Sequence, residues 1–275
     1  MKFKPYHKIK QYRDIVRDIT FKSNFKGHDE NGDPIFEESP KPTITFTGTV
    51  KLHGTNAGIT FTPSKGVVAQ KRSSLLDPEQ YNAHFEFNRF VQITKAEEIF
   101  QIMKGLHNVF CDNEEDQITL YGEWAGKNIQ KGVSISELPK SFYAFDILIT
   151  NEDRGIYKWE KTYGIDFATE GIYNIYDFPH YRLEIDFNKP QEFQNYLVEQ
   201  TELVEKCCPV AKELGFEGIG EGIVWTGFWQ DEKYIFKVKG EKHSTSKVKT
   251  LANVDPEIVK NISEFVEYAL SLIHI

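Results

Sequence analysis

The sequence predicts an α+β fold built on antiparallel sheets, and three observations carry that reading. Runs rich in β-branched and aromatic residues outnumber helical runs, and they mostly follow one another directly instead of alternating with helices. The 21 Phe, 13 Tyr and 4 Trp suit a β-rich core with stacking surfaces. At 275 residues and 40% hydrophobic, the chain can bury a sizeable core, as one large domain or one domain plus a fragment of another.

Taken in order, residues 22–42 mix Gly, Asn, Asp and Pro without periodicity and are expected to form an extended loop. Strands are expected over 43–51, 57–62 and 66–72. Residues 86–106 space Phe87, Phe90, Val91, Ile99, Ile102 and Met103 as a helix face would, with a break near Thr94 and an end at Gly105. Segments 118–126, 141–150 and 181–187 read as strands. Residues 189–215 are helical, divided by Pro209 into two helices. A final strand pair is expected over 220–228 and 233–240.

Composition narrows the function. The N-terminus lacks the apolar core of a signal peptide, and no window approaches 18 continuous apolar residues, so neither export nor a membrane span is expected. Cys111, Cys207 and Cys208 form no CxxC pair and no zinc spacing. The adjacent pair reads as reduced core residues of a helix, and the expected setting is the cytoplasm. Net charge is −8, yet residues 233–249 hold six lysines (233, 237, 239, 242, 247 and 249) against one acid, Glu241. Net charge governs solubility, whereas a local basic surface can still hold phosphates.

One stretch asks for more than a structural explanation. In TFTGTVKLHGTNAGITF, residues 45–61, a strand delivers Lys51 to its end and the chain bends at once through His53, Gly54, Thr55 and Asn56. Downstream stand Arg72 in KR, Glu123 in YGEWAG, Phe145 and Asp146 in FYAFDI, Glu221 in EGIVW, and Lys237 and Lys239 in FKVK. Singly, each has an ordinary structural account. Asp146 alone demands a partner, because a carboxylate inside an apolar strand costs several kcal/mol unpaired. A structural ion pair or a metal would meet that demand.

The order of these motifs resembles that of the covalent nucleotidyltransferase superfamily, which includes ATP-dependent ligases and mRNA capping enzymes. The K-x-H-G-x-N form of the first motif is similar to the RNA ligase 2 family. DNA ligases and capping enzymes usually carry Asp where His53 stands. The resemblance covers residues 43–249 and implies the nucleotidyltransferase (ATP-grasp-like) fold. It implies an adenylyltransferase domain over 1–249 acting as a monomer with no membrane role, and ATP as the substrate. The expected partner is RNA with 5′-phosphate and 3′-hydroxyl ends, as a nicked duplex. Lys51 is then the nucleophile that carries AMP, and Lys237 and Lys239 face the α-phosphate. Phe145 stacks on adenine, Glu123 accepts from a ribose hydroxyl, and Asn56 and Arg72 bind near the phosphates. Val50 and Leu52 flank the bound nucleotide. Glu221, with Asp146, orients a hydrated Mg²⁺ or Mn²⁺.

Elementary chemistry agrees with these roles. A lysine amine is a poor nucleophile at its ordinary pKa of about 10.4, and crowding by cations with partial desolvation frees the lone pair. Lys237 and Lys239, two apart on a strand, put both ammonium groups on one face. Gly54 is expected to let the chain turn close to the phosphate. Beyond the motifs, Asp255 and Pro256 open a helical pattern with Ile258, Ile262, Phe265, Ala269 and Leu272 on one face. This helix, 250–275, either packs back on the first domain or begins a helical C-terminal domain that grips RNA. The apolar end without a helix stop favours a truncated domain.

Overall fold

The structure, a computed structural model, describes residues 1–243. Lys247, Lys249, the domain limit expected at 249 and the helix expected over 250–275 lie outside the described residues.

Two mostly antiparallel sheets form the frame. The first runs, edge to edge, through Lys10–Gln11, Glu232–Lys239, Gly222–Trp229, Thr43–Lys51 and His180–Asp186. Its two-residue edge strand is parallel to its neighbour. The second runs through Ile156–Lys161, Ser141–Asn151, Gln117–Ala125, Thr55–Thr62, Gly66–Lys71 and Ser74–Leu75, with Ile172–Asn174 parallel to Ser141–Asn151.

Period-two alternation assigns the faces. On the first sheet Phe46, Ile223, Trp225, Phe236 and Val238 enter one core. There they meet Tyr12, Ile15 and Ile19 of the helix Tyr12–Asn24, and Leu197 and Val204 of the helix Gln194–Lys206. On the second sheet Ile59, Phe61, Ile118, Leu120 and Ile147 pack with Ile99, Met103 and Leu106 of the helix Ala96–Phe110. The opposite side chains of the first sheet, Thr49, Lys51, Val224, Ile235, Lys237 and Lys239, line a cleft.

The expected helix break is a five-residue π-helical turn, Phe90–Thr94, ahead of Ala96–Phe110, and that helix runs on through Gly105 to Phe110 instead of ending at the glycine. Other expectations need correction. The loop over 22–42 contains the end of a helix and the hairpin Phe25–His28 with Pro34–Phe36, whose exposed faces leave no apolar alternation to read. Strands Ile156–Lys161 and Ile172–Asn174 and the helix Tyr12–Asn24 have no counterpart among the expected elements. Pro209 does open a second helix, Pro209–Glu213, but Cys207 and Cys208 lie in the break between helices and not inside one. Both are free thiols, Cys208 buried and Cys207 half-buried.

Candidate active site

The chain leaves the first sheet at Lys51 and enters the second at Thr55. The bend after the lysine is this crossing, so Lys51 is held where the two sheets converge. Gly54 serves the crossing in a way the sequence did not suggest. A Cβ there would lie 2.3 Å from the Trp124 carbonyl oxygen, so the neighbouring strand by itself requires glycine. Its N–H donates to Glu123 Oε1 at 3.1 Å, which ties the crossing loop to the second sheet.

Gly222 organises the other half. In the sheet register it lies between Lys51 on one side and Lys239 on the other. Its φ of +151° and the 2.2 Å that would separate a Cβ from the Val238 carbonyl oxygen exclude a side chain. The residue before it, Glu221, is thereby delivered between the two lysines. Glu221 is 1% exposed. Its Oε2 accepts from Lys51 Nζ at 2.5 Å and lies 3.2 Å from His53 Nδ1. Its Oε1 lies 2.7 Å from Lys239 Nζ, without a well-aligned hydrogen bond. Burial alone would raise the carboxyl pKa, but Lys51 and Lys239 outweigh it and hold Glu221 below the ordinary carboxylate value.

Lys237 completes the cationic face, and its pKa is lowered first by burial and then by Lys239 and Lys51. Cation crowding of the kind expected around Lys51 is therefore present, while the Lys51 ammonium itself is paired with Glu221. His53 is lowered below its usual value, chiefly by burial, against the pull of Glu221.

Glu123 is pushed up to about 7, first by burial, with the Lys51 charge and the Gly54 N–H opposing. The sign follows. A carboxyl whose folded pKa exceeds its unfolded value of about 4.3 makes the native state bind the extra proton, so stability falls as pH rises from about 4 to 7. Glu123→Gln keeps an acceptor for Gly54 and cannot ionise. Its stability should gain on the wild type by up to about 3 kcal/mol between pH 5 and pH 8. Denaturant titrations without nucleotide at the two pH values check this, and parallel behaviour of the two proteins would contradict it.

At the far end of the cleft, Phe145 and Asp146 both line the wall although they are adjacent on one strand. A β-bulge explains this. Tyr121 pairs with Asp146 and Gly122 with Ala144, so Phe145 has no partner on that side. Phe142 and Ala144 before the bulge, and Ile147 and Ile149 after it, face the helix-covered core. The phase therefore flips between them, leaving Phe145 and Asp146 both on the cleft side. Phe145→Ala should weaken ATP use more than Phe145→Leu, because leucine still covers one face of a base. ATP titrations of both variants check this, and unchanged affinity in a destabilised protein would return Phe145 to a packing role.

Asp146, 3% exposed, has its demand for a partner met by Lys233, whose Nζ donates to Oδ2 at 2.5 Å. Tyr6 O–H donates to the same oxygen, whereas Oδ1 is buried without a hydrogen bond. Lys233 belongs to this pair and not to the basic surface on which its sequence neighbours suggested it. Its side chain is 2% exposed. Burial lowers its pKa, against the pull of Asp146. A signal was present, since Lys233, Ile235, Lys237 and Lys239 share the parity of one strand face. Tyr6 carried no signal.

The remaining expected residues also reach the cleft. Asn56 and the exposed Arg72 line it, Asn56 Oδ1 is buried without a partner, and Val50 and Leu52 are buried beside Lys51. The cleft measures about 360 Å³, within the range of small-molecule sites. Among the described residues no group of three His, Cys, Asp or Glu could enclose a metal ion. Glu221 still fits a hydrated divalent cation, which takes one or two carboxylates and completes its shell with water and phosphate oxygens.

Solved structures with a similar fold include those of an RNA ligase. Naegleria gruberi RNA ligase with PPi superposes at a TM-score of 0.51 and 16% identity, covering 88% of this chain and 58% of that one. A mutant of the same ligase with ATP and Mn gives 0.52 and 15%, with the same coverage. The chain therefore spans 58% of the length of these enzymes, and at such identity the likeness is one of fold. No curated protein matches the sequence. Residues 44–239 match the RNA ligase family, and the chain belongs to that family.

Proposed function

We propose that this chain is an ATP-dependent RNA ligase that joins 3′-hydroxyl and 5′-phosphate ends through lysyl-AMP and AppRNA intermediates, in repair of nicked duplexes. The observation that carries the reading is the placement of Lys51 at the sheet crossing against buried Glu221, with Lys239 on the other side of that carboxylate.

The Lys51 amine gives up its contact with Glu221, loses a proton and attacks the α-phosphorus of ATP. A P–N bond forms as the bond to pyrophosphate breaks. An RNA 5′-phosphate oxygen then attacks the same phosphorus, the P–N bond breaks and AppRNA forms. A 3′-hydroxyl finally attacks the RNA phosphorus, AMP departs and a phosphodiester remains. Lys237 and Lys239 stabilise charge on the α-phosphate without reorganising. Phe145 stacks on adenine, Glu123 receives a ribose hydroxyl, Val50 and Leu52 flank the nucleotide, and Arg72 with Asn56 binds phosphate oxygens. Mg²⁺ or Mn²⁺, held through Glu221, would neutralise phosphate charge during the first attack; in this arrangement Asp146 stays committed to Lys233. The enzyme is proposed to work as a monomer without membrane association. Among the described residues no helix is long and apolar enough to cross a membrane.

Incubation with labelled ATP and Mg²⁺, followed by nicked duplexes with RNA or DNA on either side of the break, tests the proposal. Denaturation-stable AMP on Lys51 and sealing of RNA nicks are expected. Absence of the covalent label would overturn the reading.

A further inference from the structure

The first eleven residues bridge the two sheets. Lys2 and Lys4 lie on the second sheet, where Lys2 N–H donates to Gln117 Oε1 at 2.7 Å and the Lys4 carbonyl accepts from Tyr121 O–H at 2.7 Å and Gln70 Nε2 at 3.0 Å. Lys10 and Gln11 pair with Phe236 and Lys237 at the edge of the first sheet. Between these anchors Tyr6, His7 and Ile9 line the cleft. The segment is thus a strap across the end of the cleft opposite Lys51.

Tyr6 makes the contacts that matter there. Its ring centroid is 5.0 Å from that of Phe145, at 57°. Its hydroxyl donates to Asp146 Oδ2, and Lys233 Nζ lies 3.3 Å from that hydroxyl and 5.1 Å from the ring centroid. Phe145 is the unpartnered residue of a bulge, so the backbone ladder on that side does little to fix its ring. Tyr6 supplies the missing support by ring packing, and its hydroxyl adds a second hydrogen bond to the Asp146 oxygen that accepts from Lys233.

We propose that the N-terminal strap belongs to the nucleotide site, and that Tyr6 is a positioning residue which fixes Phe145 and the Asp146–Lys233 pair and so sets nucleotide affinity. The proposal rests on the ligase reading for the identity of the nucleotide. It places Tyr6 behind the stacking ring and away from the reacting phosphorus, so its loss acts on binding and leaves chemistry intact.

The test uses the full-length chain with Tyr6→Leu and Tyr6→Phe, following enzyme–AMP formation against ATP concentration, with equilibrium ATP binding and melting temperature beside it. Tyr6→Leu removes the aromatic contact and should raise the half-saturating ATP concentration about tenfold, with the maximal rate within about twofold of wild type. Tyr6→Phe keeps the ring and loses only the hydroxyl, and should raise it about threefold. The phenylalanine variant is nearly isosteric, so it decides the matter alone if the leucine variant does not fold. Wild-type half-saturation in the folded variants would overturn the proposal, whatever their melting temperatures. So would a fall in maximal rate with half-saturation unmoved. Wild-type protein that binds ATP without becoming labelled would remove the ligase reading instead, and the equilibrium titrations of the variants would then decide this proposal.

Discussion

Lys51→Ala is expected to form no enzyme–AMP, to fold normally, and to retain sealing of a pre-adenylylated RNA strand. The fold survives because Glu221, buried at the sheet crossing, keeps Lys239 and His53 as partners when the Lys51 ammonium is gone. The later steps survive because neither the transfer of a ready-made AppRNA end nor the departure of AMP needs an amine at position 51. The measurement is covalent labelling with ATP, run beside ligation of a chemically adenylylated strand. Labelling at the wild-type level would sink the assignment of the nucleophile.

Glu221→Ala and Lys239→Ala should each slow enzyme–AMP formation by about 10²–10³, the usual cost of one preorganised electrostatic partner. The two losses have different origins. Removing Glu221 leaves Lys51, His53 and Lys239 without the carboxylate that separates them, and takes away the oxygen best placed for a divalent cation. Removing Lys239 subtracts positive charge from the face where the α-phosphate is proposed to lie. Raising Mg²⁺ should partly restore the lysine variant and leave the glutamate variant unchanged. Rates within a few-fold of wild type would show that the phosphate or the metal lies elsewhere in the cleft.

Much of this site was legible because its residues obey local rules. Period-two geometry puts Lys237 and Lys239 on one face, while their meeting with Lys51 was legible only through the resemblance of the ordered motifs and is made by the strand that pairs between them. Asp146 could be recognised as needing a partner, since the cost of an unpaired buried carboxylate follows from the apolar run around it. The identity of that partner could not be read. Lys233 is 87 residues away and Tyr6 is 140 residues away, and only the pairing of two sheets and the path of the strap bring them to Asp146. The hairpin over 25–36 was missed for the opposite reason. It buries little, so selection for a core leaves no pattern on it.

The bulge at Phe145 gives the strand an odd–even property that no single substitution can alter. Because one extra residue is counted on that strand and not on its neighbour, the side chains on either side of it keep opposite parity. Deleting Phe145 would restore a regular ladder in which Asp146 still pairs with Tyr121 and both flanks still face the core, so the wall would lose one of its two adjacent side chains and nothing would turn over. Straightening the strand with Phe145 kept is the change that would turn a flank over, sending either Ile147 and Ile149 or Phe142 and Ala144 from the core into the cleft. The chemistry of this wall is therefore written in the length of the strand as much as in its residues. Loss of the bulged residue is felt at one place, whereas loss of the bulge with that residue retained would be felt along the whole flank of the strand.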